Sequence, residues 1–475
     1  MLVNKTKQLE DFMERIEIKK IYDDTKSFEN QIIKVAGWVR SARGGKSFGF
    51  LDLNDGTSFR GVQIVFDADK LSNFDDVSHL NTGSSVECEG KLILTPEARQ
   101  PFEIQATAIK ILSATDASYP LQKKKMTLEF LREQAYLRPR TNTYSAVFRI
   151  RSVAAMAIHE YFQSNGYVYV NTPLITTTDC EGSDQMFKIT TLNFDELPKT
   201  EDGKVDMSQD LFGKKAYVTG SGQLHGEAFA LAFGKIYTFG PTFRTENSNT
   251  KTHANEFWMI EPEMAFCDLE GLMDIEEDML KFVVSTVLQK CPDELAFLDK
   301  NVQNGLIEKL EKLVSSKFTR ISHKEVIDIL KKADVEWEFK PEYGEDIAKE
   351  HEKYITAHFN GPVFIKDWPK DIKAWYMKLN DDGKTVAAVD LQVPGAGELM
   401  GGSQREEDYD KICKRCDELG VDKVPVEWFI NLRKYGSVVH SGFGMGFERL
   451  VMYLTGIENI RDSIPFPRTP NNCDY

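Results

Sequence analysis

At 475 residues the chain is longer than one hydrophobic core usually organises, so two or three domains are expected, and 41% hydrophobic residues suffices for a sizeable core. A net charge of −15, from 59 Lys plus Arg against 74 Asp plus Glu, excludes a protein that coats nucleic acid indiscriminately; it leaves room for a local basic face, because charge is screened within about 8–10 Å at physiological salt. No apolar run is long enough to span a membrane, the first residues MLVNKTKQLEDFMERIEIKK mix acids with bases unlike a secretory signal, and the seven cysteines are scattered, so a cytoplasmic protein without a zinc centre is expected.

After a short charged leader, Gln31 to about Leu112 reads as strands. IIKVAGWV, FGFLDLND, GVQIVF, SSVECEGKLIL and FEIQATAIKIL are rich in β-branched and aromatic residues and are punctuated by Gly44-Gly45, Asp55-Gly56 and Thr82-Gly83. Five strands in so short a stretch suit a small closed barrel of the oligonucleotide-binding (OB) fold, which binds single strands by stacking bases on exposed aromatics. Phe48 and Phe50 are the candidates, against the ordinary alternative of core packing. Pro120 and Lys123–Lys125 then mark a hinge, the lysines facing either nucleic-acid phosphates or solvent. From Leu128 onward amphipathic helices such as SAVFRIRSVAAMAIHEYFQ alternate with strands such as KIYTFGPTFR and EFWMIEPEMAF. The expected architecture is α+β: a barrel domain over 1–115, a hinge over 116–135, and an antiparallel-sheet domain over 136–475 carrying a charged helical insertion at about 271–357.

Three clusters carry chemistry. In FGPTFRTENSNTKTHANEFWMIEPEMAF, Arg244 and Glu246 are expected on one face of the first strand, presenting a fixed cation beside an acid. Arginine grips phosphate and carboxylate alike, since its planar fork donates several hydrogen bonds and stays charged. In VDLQVPGAGELMGGSQREE, Asp390 and Glu398 flank a Gly/Pro bend; two carboxylates beside a triphosphate are what Mg²⁺ prefers. In HSGFGMGFERLVMYLTGIENIRD, a glycine-rich strand leads into a helix with Arg449 near its start, and neither a Walker loop nor a dinucleotide fingerprint is present.

Together, and in this order, the clusters resemble the signature motifs of class II aminoacyl-tRNA synthetases. TPLIT resembles the end of motif 1, which builds a dimer interface; GPTFRTEN…EFWMIEPEMAF resembles motif 2; GFGMGFERL resembles motif 3. The barrel matches the anticodon-binding domain of the aspartate/asparagine/lysine subgroup. Within it SGQLHGE, TFRTENSNT, FWMIEPEMAF and GGSQREE resemble the asparagine-specific members of bacterial type. The resemblance implies ATP-dependent ligation of L-asparagine to tRNA(Asn) by a homodimer, through an adenylate and with Mg²⁺. It assigns Arg244 to the substrate carboxylate and α-phosphate, and Glu246 to the adenine side. His253, Gly446 and Arg449 fall to ATP, and Glu398, with Asp390 as the second ligand, to the metal. Glu181, Ser221, Gln223 and Arg405 fall to the amino acid, and Phe50, Gln63 and Glu103 to the anticodon, with Phe48 either platform or support.

Selecting asparagine over aspartate means telling an amide from a carboxylate. Arg405 attracts aspartate at least as well, so an acceptor must meet the amide NH₂ and repel an acid; Glu261, with Glu263 behind it, is the candidate. Aspartate enzymes carry a lysine shortly after the pocket glutamine, whereas Gln223-Leu224-His225-Gly226-Glu227 has none. Two departures from the family pattern stand out: Thr252 occupies the place of a phosphate-contacting arginine, with Lys251 beside it, and Gly401 the place of a metal-contacting serine in archaeal aspartate enzymes. The rivals are an aspartate-specific synthetase, an asparagine synthetase-like paralogue, and a non-catalytic RNA-binding paralogue. The last would be expected to lose Arg244 and Arg449.

Overall fold

The computed structural model describes residues 15–475 except 99, 123–125, 181–185 and 249. Glu181 and the Lys123–Lys125 run therefore lie outside the described residues. The chain divides into two compact units, Met1–Ala146 and Val147–Tyr475.

In the first unit β1 (Ile32–Gly44), β2 (Phe48–Asn54), β3 (Val62–Asp67), β4 (Ser85–Leu94) and β5 (Phe102–Ser113) close into a barrel in the order β1-β2-β3-β5-β4. The alternation in sequence becomes the two faces of the barrel wall. Val35, Val39, Leu51, Leu53, Ile64, Phe66, Val86 and Ile104 fill the interior, each contributing about 1.5–3 kcal/mol of burial. Ile18 and Ile21, on the short helix Ile18–Asp23, are fully buried in the same core.

In the second unit β6 (Val168–Tyr169) is the edge of an eight-stranded sheet, and β7 (Ile175–Thr176), β8 (Lys188–Ile189) and β9 (Ala216–Val218) make a separate small one. The large sheet also contains β10 (Lys235–Phe243), β11 (Glu256–Ala265), β12 (Thr319–Ser322), β13 (Val363–Pro369), β14 (Thr385–Val393), β15 (Gly397–Gln404) and β16 (His440–Gly446). Their order is β12-β13-β14-β15-β16-β11-β10-β6. Only the outermost pairs, β12 with β13 and β6 with β10, are parallel. Strand β14, TVAAVDLQV, is buried along its whole length, which is why it reads as a nearly continuous apolar run.

The stretch 271–357, read from sequence as a helical insertion, is joined to this sheet. It contains β12, an edge strand of four residues, and most of the helix Leu269–Lys290, whose Leu272, Met273, Leu280, Val283 and Val287 are buried. Asp268 caps that helix by accepting from the Gly271 N–H at 2.9 Å, and Ser322 with Glu325 forms a capping box on the helix His323–Lys332.

Candidate active site

One face of β11, β15 and β16 carries the site. Period-two alternation aims Glu261 and Glu263 of β11 the same way, and Ser403 of β15 pairs in register with Gly442 of β16, which pairs with Glu263. Gly442 is required there, since a Cβ would overlap the Glu263 carboxylate. A cavity of about 340 Å³ opens on this face, lined by Ser221, Gln223, Arg244, Glu246, Thr252, His253, Glu261, Glu263, Asp390, Glu398, Gly401, Arg405, Gly446 and Arg449. All candidates for the amino acid, nucleotide and metal thus meet at one wall, Glu181 excepted because it lies outside the described residues.

At one end the charges are closed on one another. Arg405 donates to Glu263 from Nη2 at 2.5 Å and from Nε at 3.2 Å, and to Ser403 Oγ from Nη1 at 2.8 Å. Glu227 lies 3.7 Å from Arg405 Nε, accepts from Arg433 Nη2 at 2.7 Å and from Gln223 Nε2 at 3.1 Å, and its Oε2 is 3.1 Å from His440 Nε2. Burial pushes the Glu227 carboxyl up, but Arg433, His440 and Arg405 together overcome this and hold it at about 2. Burial raises Glu263 to about 7 against the pull of Arg405, whose own protonation is reinforced by both acids. Glu261 accepts from Ser221 Oγ, from the Gly222 N–H at 2.9 Å and from Thr238 Oγ1 at 3.2 Å. Three bonds leave it little free acceptor capacity, so it also anchors the turn that holds Ser221.

The other end is more open. Arg244 and Glu246 do not share a strand face as expected: β10 stops at Phe243, because Asn255 Nδ2 takes the Arg244 and Glu246 carbonyls at 2.8 and 3.0 Å and turns the chain into a loop. The Arg244 guanidinium lies over the Phe257 ring, 5.6 Å from its centroid. Arg449, in the first turn of the helix Phe447–Thr455, donates to the Glu398 carbonyl at 3.2 Å. His253 Nε2 is 3.8 Å from Glu246. Asp390, expected as the second metal ligand, is paired with Lys373 Nζ at 2.6 Å. Asp390 and Glu398 nevertheless converge on Gly401, whose missing Cβ would lie 3.3 and 3.2 Å from their oxygens. Burial and Asp390 push Glu398 up to about 7. Beneath the sheet Glu276 is wholly buried and neither carboxylate oxygen has a hydrogen-bond partner among the described residues, so burial drives it far toward its neutral form.

On the barrel, Phe50 and Phe48 are 37% and 53% exposed and meet edge to face at 5.6 Å, which makes them surface groups. Gln63 and Glu103 are register partners on β3 and β5, with Gln63 Nε2 donating to Glu103 at 3.2 Å.

Sequence reading missed Glu227, Arg433 and His440 as a unit, and Lys373 and Glu276 altogether. Only Glu227 left a local signal, its i,i+4 spacing from Gln223 on the helix Gln223–Phe233.

Residues 127–470 match the family model for class II tRNA synthetases (D, K and N). The chain belongs to that family. Residues 33–112 match an OB-fold nucleic acid binding domain, the region of the closed barrel. Among relatives of this class II synthetase, an asparagine-tRNA ligase of Clostridium tetani is 53% identical over 464 residues, covering 98% of this chain and 100% of its own. One of Acholeplasma laidlawii is 54% identical over 456 residues, covering 96% and 98%. The structure of asparaginyl-tRNA synthetase from Pyrococcus horikoshii complexed with asparaginyl-adenylate superposes with a TM-score of 0.84 at 31% identity, covering 97% of this chain and 100% of that one.

Proposed function

We propose that this class II synthetase activates L-asparagine with ATP and ligates it to tRNA(Asn). A carboxylate oxygen of asparagine attacks the α-phosphorus, the bond from that phosphorus to the bridging oxygen breaks, and pyrophosphate leaves. A terminal ribose hydroxyl of the tRNA then attacks the carbonyl carbon and AMP leaves. Such chemistry needs positioning and charge neutralisation more than a dedicated acid or base. Arg244, Glu246, His253 and Arg449 line one cavity, where Arg244 would reach carboxylate and α-phosphate together, Arg449 would brace the nucleotide, and Glu246 and His253 would flank its base side.

The observation that carries the choice of asparagine is the pairing of Arg405 with Glu263, both buried. A bare arginine would favour a carboxylate, whereas one already neutralised offers hydrogen bonds without net charge, and that suits an amide. The two ligases above and the adenylate-bound structure support the same reading.

Glu398, with Asp390 as second ligand, would hold Mg²⁺. The residues fit, because two hard oxygen donors converge over a glycine that leaves room between them. The ion would neutralise phosphate charge. The barrel, with Phe50, Gln63 and Glu103 on its surface, would take the anticodon. A homodimer is supported by edge strand β6 and the segment after it, which expose Val168, Tyr169, Leu174 and Ile175 beside a cavity of about 180 Å³ lined by Tyr169, Pro241 and Trp258. No described helix is long and apolar enough to cross a membrane, in keeping with action in the cytoplasm.

The test is pyrophosphate exchange with asparagine or aspartate, followed by charging of each tRNA. Asparagine-dependent exchange and charging of tRNA(Asn) are expected; exchange driven by aspartate alone would overturn the assignment.

A further inference from the structure

A lysine that the proposed activity does not use stands beside the paired acids of the catalytic wall. Lys373 Nζ donates to Asp390 Oδ2 at 2.6 Å, and the two side chains are only 17% and 11% exposed. The other oxygen, Asp390 Oδ1, faces the gap over Gly401, 3.3 Å from where a Cβ would stand, and Glu398 Oε1 is 3.2 Å from the same point. One oxygen of Asp390 is thus taken by a fixed cation, and the other is turned toward the gap. Asp390 and Glu398 line the catalytic cavity, whereas Lys373 is not among its described lining residues.

The fold holds that lysine in place. Strand β13 bulges between Lys366 and Trp368, where Asp367 takes a left-handed φ of 56° and accepts from Asn380 Nδ2 at 3.0 Å. Trp368 beyond the bulge is buried, and its Nε1 donates to the Ile365 carbonyl at 2.8 Å. The chain then makes the short turn Lys370–Ile372, secured by the Arg415 guanidinium, which donates to the Lys370 carbonyl. Lys373 follows, its ammonium 3.9 Å from the Trp368 ring centroid. An aromatic face and a carboxylate together leave its four-carbon stem little freedom.

We propose that Lys373 is a positioning residue that holds one oxygen of Asp390 and keeps the acid pair from taking a divalent ion strongly on its own. The proposal rests on the assignment of Asp390 and Glu398 to the metal. Two ionised carboxylates side by side attract a free divalent ion, and Lys373 cancels one of the two charges. Phosphate oxygens supply the missing negative charge, so the ion enters with its triphosphate. The hydrogen bond to Oδ2 meanwhile keeps Oδ1 aimed at the gap.

The test is titration of the nucleotide-free full chain with Mn²⁺, read from the electron paramagnetic resonance signal of the free ion. Lys373→Met keeps an unbranched apolar stem over Trp368 and removes the charge; it should bind Mn²⁺ about tenfold more tightly than the parent. Lys373→Gln keeps a donor without the charge and should show the same gain, whereas Lys373→Arg should stay within about twofold of the parent. A lysine with a merely structural role would give a loss on removal. Adding Asp390→Asn to Lys373→Met should abolish the gain. Mn²⁺ affinity unchanged or weakened in an uncharged variant with an intact thermal transition would overturn the proposal, as would a gain that survives Asp390→Asn. The titration needs no turnover, so absence of asparagine-dependent exchange in the unaltered protein would sink the activity separately, with the charge balance at Asp390 still decided by Mn²⁺.

Discussion

At the amino-acid end of the catalytic cavity Glu227, Glu263, Arg405, Arg433 and His440 answer one another's charges, whereas towards the other end exposed Glu398 and half-buried Lys309, and buried Glu276 beneath the sheet, have no ion pair among the described residues. The first arrangement is completed when the chain folds, so it presents a rigid, nearly neutral surface suited to an uncharged side chain. The second is left short of counter-charge, and under the proposed activity ligands that bring metal and phosphate would supply what is missing. On the proposed activity, charge would serve selectivity where its pairs are closed and binding where they are open.

The comparison breaks most severely at Glu227. Glu227→Ala should leave Arg433 buried without its partner and cost about 3–5 kcal/mol, read from urea unfolding of the unit that contains it. A loss below about 1 kcal/mol would mean that the network is not closed in the sense described. The pH dependence has a definite sign. With a folded pKa of about 2 against an ordinary 4.5, the contribution is complete above about pH 4.5 and is lost as pH falls toward 2, so variant and parent should converge in acid.

Glu263→Gln is the next largest test. It removes the acid that neutralises Arg405 while keeping shape and one hydrogen-bond acceptor. The ratio of kcat/KM for asparagine to that for aspartate should fall about thirtyfold, chiefly through a gain for aspartate. An unchanged ratio would move selectivity to Glu261 or to the turn at Ser221.

What was legible in the sequence follows the same division. Arg244, Glu398 and Arg449 lie in local motifs, each on a strand end or helix start whose pattern can be read within about twenty residues. The closed network is non-local: Glu227 meets Arg433 and His440 across 206 and 213 positions, and only folding brings them together. Glu276, in LEGLMDIEEDML, stands among acids that suggest a solvated face, yet Leu272, Met273 and Met279 turn it inward. The barrel strands were readable because turns punctuate them, while β12, with four residues among charged helices, offers too short a pattern. The strand face expected for Arg244 and Glu246 failed on one side chain, Asn255, whose bonds to the backbone end β10 early.

The smallest expected effect probes the open end without any ligand. Lys309 has a folded pKa of about 8 against an ordinary 10.5, so the folded chain carries fewer protons than the unfolded one between these values. Charge on Lys309 therefore costs stability below pH 8, and that cost is relieved as pH rises toward 10.5. A full shift sets a ceiling of about 3 kcal/mol, and the hydrogen bonds to Tyr453 and Gln303 together with partial solvent access should reduce the observed effect to about 1 kcal/mol. Urea unfolding at pH 8 and pH 10 should show Lys309→Met losing this rise while keeping the background slope of the parent chain. Parallel pH profiles for parent and variant would place the Lys309 ammonium in water.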